Sequence, residues 1–231
     1  MVEASAGNET ALPVLDKLMA LMGDSLRTQL LKFVAIVAVL LLIVGGVLRW
    51  LYVDVVTVGN DAMAPTFFAG DTILVWRTSD FDHGDVMLCR HPRTQGAWVM
   101  GRMVGRPGMS VSFEREQLTI NRQRVNRDFQ GEFQFEDQNS HAQVRFVWGR
   151  EELGEVDHLF MERPERTIAM RAITDASGYF LLNDNRTWVG DDSRTFGPVQ
   201  QADCTGVVFM RWSPGGRAPA ALGQGNLDIL D

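Results

Sequence analysis

The chain has 231 residues, of which 45% are apolar, and its formal net charge is −7. This is enough for one substantial core plus a membrane anchor, and the acidic balance argues against a nucleic-acid partner. Among its 22 basic residues only Lys17 and Lys32 are lysines, so nothing after residue 32 supplies a lysine amine.

Residues 1–10 are small and polar and read as a loose tail. From Leu12 to Leu31, the residues Leu15, Leu18, Met19, Met22, Leu26 and Leu30 recur at three- and four-residue steps, which predicts an amphipathic helix with Pro13 in its first turn. Three settings are open to it: the inner membrane surface, the helices of a partner, or continuity with the segment that follows. Phe33 to Leu48 is free of charge. At about 1.5 Å per residue it spans about 24 Å, short of the roughly 30 Å bilayer core. Arg49 to Val53 completes the length, with Trp50 and Tyr52 suited to the interface. A cleavable signal peptide is the competing reading, but the apolar run is long and begins late, so residues 32–53 are read as a retained transmembrane helix. Lys17, Arg27 and Lys32 precede it, which predicts a cytoplasmic N-terminus and an outside main domain.

Short strand-like runs follow. They are Val53–Val58, Thr72–Trp76, Asp85–Arg90, Trp98–Val104, a hairpin from Leu118 to Val125, Tyr179–Leu182 and Gly206–Trp212. Their spacing predicts a mainly β domain over 54–212. Residues 127–176 are polar and read as an insertion with weak strands and a short helix near Glu151. Residues 213–231 read as a Gly/Ala/Pro-rich tail, mobile in part. Cys89 and Cys204 both lie in apolar runs; they either pair or stay as buried free thiols.

Several short motifs stand in a fixed order behind the anchor. They are Asp61-Ala62-Met63-Ala64-Pro65-Thr66, Gly70-Asp71, Gly84-Asp85-Val86, Arg102 to Gly108, Asn121-Arg122, and Asp184-Asn185-Arg186 with Asp192-Ser193-Arg194. This series resembles the signal peptidase I family, membrane-bound serine proteases that cut signal peptides from exported proteins. The resemblance covers roughly residues 33–212. It implies a signal-peptidase-like β domain on one N-terminal transmembrane helix. It also implies a bacterial inner membrane location with the main domain periplasmic.

The departures concern chemistry. The resemblance implies a nucleophilic serine at position 62 and a general-base lysine at position 101. This chain has Ala62 and Gly101 there, and neither side chain can attack or take a proton. The serine that orients the lysine in bacterial members is missing from Thr187–Asp191 too. Asp61 is a candidate rescue nucleophile or base, but a lone aspartate cleaves amides poorly. His83, His91, His141 and His158 do not stand at the base position and read as surface or structural residues. No spacing suggests a metal site, and no cofactor is expected.

A catalytically inactive homologue is therefore expected. Asp61, Ala62, Met63, Val99 and Met100 would form a groove that binds a peptide or a partner membrane protein by strand addition. Arg102, Asp184, Arg186, Asp192 and Arg194 would form its structural frame, with Arg102–Asp184 and Arg194–Asp192 as ion pairs. Replacing lysine by Gly101 is expected to leave space beside the Ala62 methyl. Phe67 and Phe68 are expected to face the outer leaflet of the bilayer. The alternatives are an atypical active signal peptidase and an accessory structural subunit of a membrane complex.

Overall fold

The computed structural model describes residues 24–114, 117–138, 140–154, 156–166, 170–173, 177–188, 190–222 and 228–229. The chain divides into two compact units, Met1–Leu51 and Tyr52–Asp231.

In the first unit, α1 (Asp24–Tyr52) is a single helix of 29 residues. Its length is about 43 Å. Segment Ser25–Tyr52 has a mean hydropathy of 2.8 and is long and apolar enough to cross a membrane. Leu41 and Leu42 are fully open, as lipid-facing side chains are. Residues 24–31, predicted as part of an amphipathic helix, are continuous with the anchor. The rest of that prediction, residues 12–23, lies outside the described residues.

The second unit is built from antiparallel sheets. The main sheet runs β1 (Val53–Thr57), β2 (Thr72–Arg77), β13 (Cys204–Ser213), β3 (Val86–Arg90), β4 (Trp98–Gly105) and β12 (Phe180–Leu182), with β14 (Asp228–Ile229) also on β13. Period-two burial fixes its register: Ile73 and Val75 are buried while Trp76 stays exposed. They pack with Val58, Met63, Phe67, Val86, Leu88 and Val208 in one core cluster. A second sheet joins β5 (Val111–Glu114), β6 (Gln117–Ile120), β7 (Gln123–Arg124) and β11 (Met170–Ile173). Its predicted hairpin closes through Asn121 and Arg122, both at positive φ (49° and 66°). That is a type I′ turn, which normally selects Asn-Gly.

Residues 127–162 depart from expectation. They form three well-paired strands, β8 (Arg127–Glu136), β9 (Gln143–Leu153) and β10 (Val156–Glu162), and Glu151 lies inside β9 rather than in a helix. The alternation was diluted by charge on the outer face: Phe133 and Phe135 point inward while Glu132, Gln134 and Glu136 point out.

The packing also corrects the reading of Phe67 and Phe68. Both are buried, at 1% and 0% exposure. Phe68 packs with Phe133, Phe135, Phe146 and Met161, its ring 5.3 Å from that of Phe135. The exposed aromatic side chains include Trp76, Trp98 and Trp212 instead.

Part of the predicted tail is fastened too. Gly215 N donates to Asp71 Oδ1 at 2.7 Å, and Ala218 and Leu222 cover the aromatic cluster around Phe68. Of the two readings for the cysteines, the structure takes pairing: Cys89 and Cys204 are register partners on β3 and β13 and form a disulfide.

Candidate functional site

Among the described residues, two strand edges of the main sheet are open. β1 pairs there with β2 alone. β12 reaches β4 only at Arg102, Met103 and Gly105, so among the described residues Trp98–Gly101 pair with β3 alone. A cleft of about 160 Å³ is lined from both, by Val56–Val58 and by Trp98–Met100. Ala62 and Met63 line it as well, as do Ile73, Leu88, Asn60 and Asp191.

The loop carrying Ala62 is held by its backbone. Ala62 N donates to Asn60 Oδ1 at 3.1 Å, and Ala62 O accepts from Asn185 N at 3.0 Å. Asn185 Nδ2 also donates to Asp61 O at 3.2 Å. The Ala64–Pro65 peptide is cis.

Of the five predicted groove residues, Ala62, Met63, Val99 and Met100 line the cleft and Asp61 does not. Met63 and Val99 are also core side chains, whereas Met100 is only partly buried. Asp61 is 1% exposed. Its Oδ1 accepts from Ala69 N at 2.9 Å and its Oδ2 from Arg217 Nη2 at 2.8 Å. A carboxylate tied down in this way is a structural anchor.

Gly101 is turned away from the cleft. A Cβ there would lie 2.9 Å from Leu181 Cβ and 3.7 Å from the Leu182 backbone. The expected space beside Ala62 is therefore not supplied by this glycine, because β12 packs over the position.

Behind the loop lies a buried network of charges. Arg102 grips Asp184 with both prongs, Nε–Oδ1 at 2.9 Å and Nη2–Oδ2 at 2.7 Å, and donates from Nη1 to Gly84 O at 2.7 Å. Thr66 Oγ1 donates to Asp184 Oδ2 at 2.5 Å. His158 Nε2 stands 3.9 Å from Asp184 Oδ1 and 3.4 Å from Glu151 Oε2. Glu151 is bonded by Arg186 and approached by Arg127, which in turn holds Glu162 at 2.6 Å. Beyond this network, Arg194 Nη2 pairs with Asp192 Oδ2 at 2.7 Å, while Asp192 Oδ1 caps α2 (Ser193–Phe196) through Arg194 N.

Burial alone would raise the carboxyl pKa values, but the arginines outweigh it. Glu151 is held at about 2 by Arg186, with His158 and Arg127 adding to the effect. Asp184 is lowered against the same burial cost by Arg102, through charge and hydrogen bonds. His158 is lowered, first by burial and then by the Arg102 charge, against the opposing pull of Glu151 and Asp184. The arrangement fixes charges in place.

Residues 28–213 match the family model "Signal peptidase, peptidase S26". The chain belongs to this family. It is 28% identical to "Signal peptidase I" of Pseudomonas aeruginosa over 182 residues, 70% of this chain and 62% of that one. A second relative, "Signal peptidase I" of Pseudomonas fluorescens, matches with the same identity and coverage. "Signal peptidase IB" of Staphylococcus aureus is 24% identical over 196 residues, 82% of this chain and 92% of that one. The chain thus spans less than two thirds of the length of the Pseudomonas relatives.

Membership of the signal peptidase family accounts for the mainly β unit and the apolar helix ahead of it. Sequence reading brought together Arg102 with Asp184 and Arg194 with Asp192. It placed the peptide-pairing stretches at about 60–64 and 97–101, which include Asn60 and Trp98, but it missed Asp191 as a cleft residue and did not assign Glu151, His158 or Arg127 to a buried network. One signal was available for two of these: Glu151 and His158 are polar residues that alternate with Leu153 and Phe160 at inward strand positions.

Proposed function

We propose that this chain is a membrane-anchored signal peptidase homologue that holds an extended peptide, or a partner's strand, without cutting it. The observation that carries this reading is the pair of strand edges open among the described residues, β1 and Trp98–Met100, lining one cleft with Ala62 beside them. A strand inserted there would find unpaired backbone groups on either side. Position 62 offers a methyl group and position 101 a hydrogen, so the cleft holds neither the nucleophile nor the base that the family resemblance implies. Asp61 supports no rescue, since both its oxygens are engaged away from the cleft.

The outside location of the β unit is part of the same proposal. Basic residues before the anchor support it, and so does the Cys89–Cys204 disulfide, which suits an oxidising compartment. The test uses the full chain in mild detergent with a fluorescent Ala-x-Ala peptide. Saturable binding without cleavage is expected. Turnover that survives repurification and disappears in Asp61→Ala would replace this reading with an atypical peptidase.

A further inference from the structure

The buried carboxylates around the site follow a pattern. Every buried acid there has an arginine: Asp61 has Arg217, Asp71 has Arg211, Glu151 has Arg186, Glu162 has Arg127, Asp184 has Arg102 and Asp192 has Arg194. Asp191, next in sequence to the last of these but only partly buried, has no arginine partner among the described residues. Its Oδ2 accepts from two neutral donors, Asn60 Nδ2 at 3.1 Å and Trp188 Nε1 at 2.8 Å. Asp191 is only partly buried and lines the cleft, and it is the one charged side chain that does so among the described residues.

Two donors therefore fix a carboxylate on the wall of an otherwise largely apolar cleft, with no cation among the cleft's described lining residues to answer it. Asn60 also ties it to the centre of the site, because its Oδ1 accepts from Ala62 N at 3.1 Å. An extended peptide filling the cleft would expel water from Asp191. A neutral peptide would leave that charge desolvated and unpaired, which is costly, whereas an ammonium or guanidinium would answer it with charge-assisted hydrogen bonds. We propose that Asp191 selects the occupant of the cleft, an extended peptide segment that places a lysine or arginine side chain near the residue seated at Ala62. This rests on the peptide-holding reading above and deepens it. The selection works by penalising neutral chains as much as by attracting basic ones.

The experiment uses acetylated Ala-x-Ala peptides in which one lysine is stepped through the flanking positions. Each is paired with a peptide carrying norleucine, the uncharged isostere of the lysine stem, at the same place. Binding to the full chain in detergent is read by fluorescence anisotropy. One lysine position is expected to bind about tenfold tighter than its norleucine partner, with the advantage weakening as salt is raised. Asp191→Asn should remove that advantage, weakening the lysine peptide and strengthening the norleucine peptide until the two bind alike. If Asp191→Asn lowers the thermal midpoint, the salt series on the natural chain and Asp191→Glu, which keeps the charge, decide the matter. Equal binding of lysine and norleucine peptides at every position overturns the role of Asp191 and leaves the cleft intact. Failure of all peptides to bind the natural chain overturns the peptide-holding reading itself.

Discussion

A methyl group at position 101 would meet Leu181 Cβ at 2.9 Å, closer than such atoms approach in real structures. The backbone of β4 and the first part of β12 are packed around a missing side chain. Gly101→Ala is therefore expected to lower stability by about 1–3 kcal/mol through overpacking. Gly101→Lys should cost more, since the amine would need both room and a partner. The double change Ala62→Ser with Gly101→Lys is expected to yield no signal-peptide cleavage. Thermal unfolding and a peptide-cleavage assay check both statements, and robust turnover by the double variant would show that the site accepts the missing pair.

The buried network predicts the direction of pH dependence. Glu151 is held at about 2, below its ordinary 4.5, and Asp184 is lowered as well. Their contribution is complete above the ordinary carboxylate range and is lost as pH falls from there, for Glu151 towards about 2 and on the order of 3 kcal/mol. His158 is lowered from 6.5 by burial and the Arg102 charge, so its contribution is complete above pH 6.5 and is lost below it. The thermal midpoint should thus fall steadily from neutral to acid pH. His158→Gln should flatten the part of the curve just below neutrality and spare the more acid part. A midpoint that rises on acidification would contradict the charge assignment.

Arg217 reaches back to the nucleophile-position loop. Its Nη2 donates to Asp61 Oδ2 at 2.8 Å and to Glu136 O at 3.1 Å. Arg217→Ala leaves Asp61 buried without its counter-charge and is expected to cost about 2–4 kcal/mol. Asp61→Asn in the same chain should recover part of that loss, because the buried charge is then gone. Chemical denaturation of the single and double variants measures the coupling, and additive losses would deny it.

The Cys89–Cys204 bridge closes a loop with a sequence separation of 115. Replacing both cysteines by alanine is expected to cost about 2–5 kcal/mol. In cells, both thiols should resist alkylation until a reductant is added. A single cysteine introduced at Ser140, which is exposed, should label from outside the membrane. Labelling of Ser140→Cys from the cytoplasmic side alone would reverse the proposed orientation.

Much of this chain is legible in one dimension because its signals are local. A long apolar run makes a helix whatever surrounds it, and β-branched runs broken by Gly-Asp steps place β1, β2, β3, β4 and β13 within a residue or two. The absence of a hydroxyl at Ala62 and of an amine at Gly101 is likewise read directly from residue identity. What the tertiary structure decided is where neighbouring side chains are sent. Phe67 and Phe68 are simply apolar in sequence, and only the fold makes both interior, Phe67 in the core of the main sheet and Phe68 against the sheet of β8, β9 and β10. Gly101 reads as vacant space until β12 is laid across it. Asp191 and Asp192 are adjacent and chemically identical, yet one is buried against Arg194 and the other lines the cleft with neutral donors. Composition cannot separate them, because the difference is which way the loop turns each carboxylate, one inward to nearby Arg194 and the other to Trp188 and to Asn60 from a distant stretch of the chain.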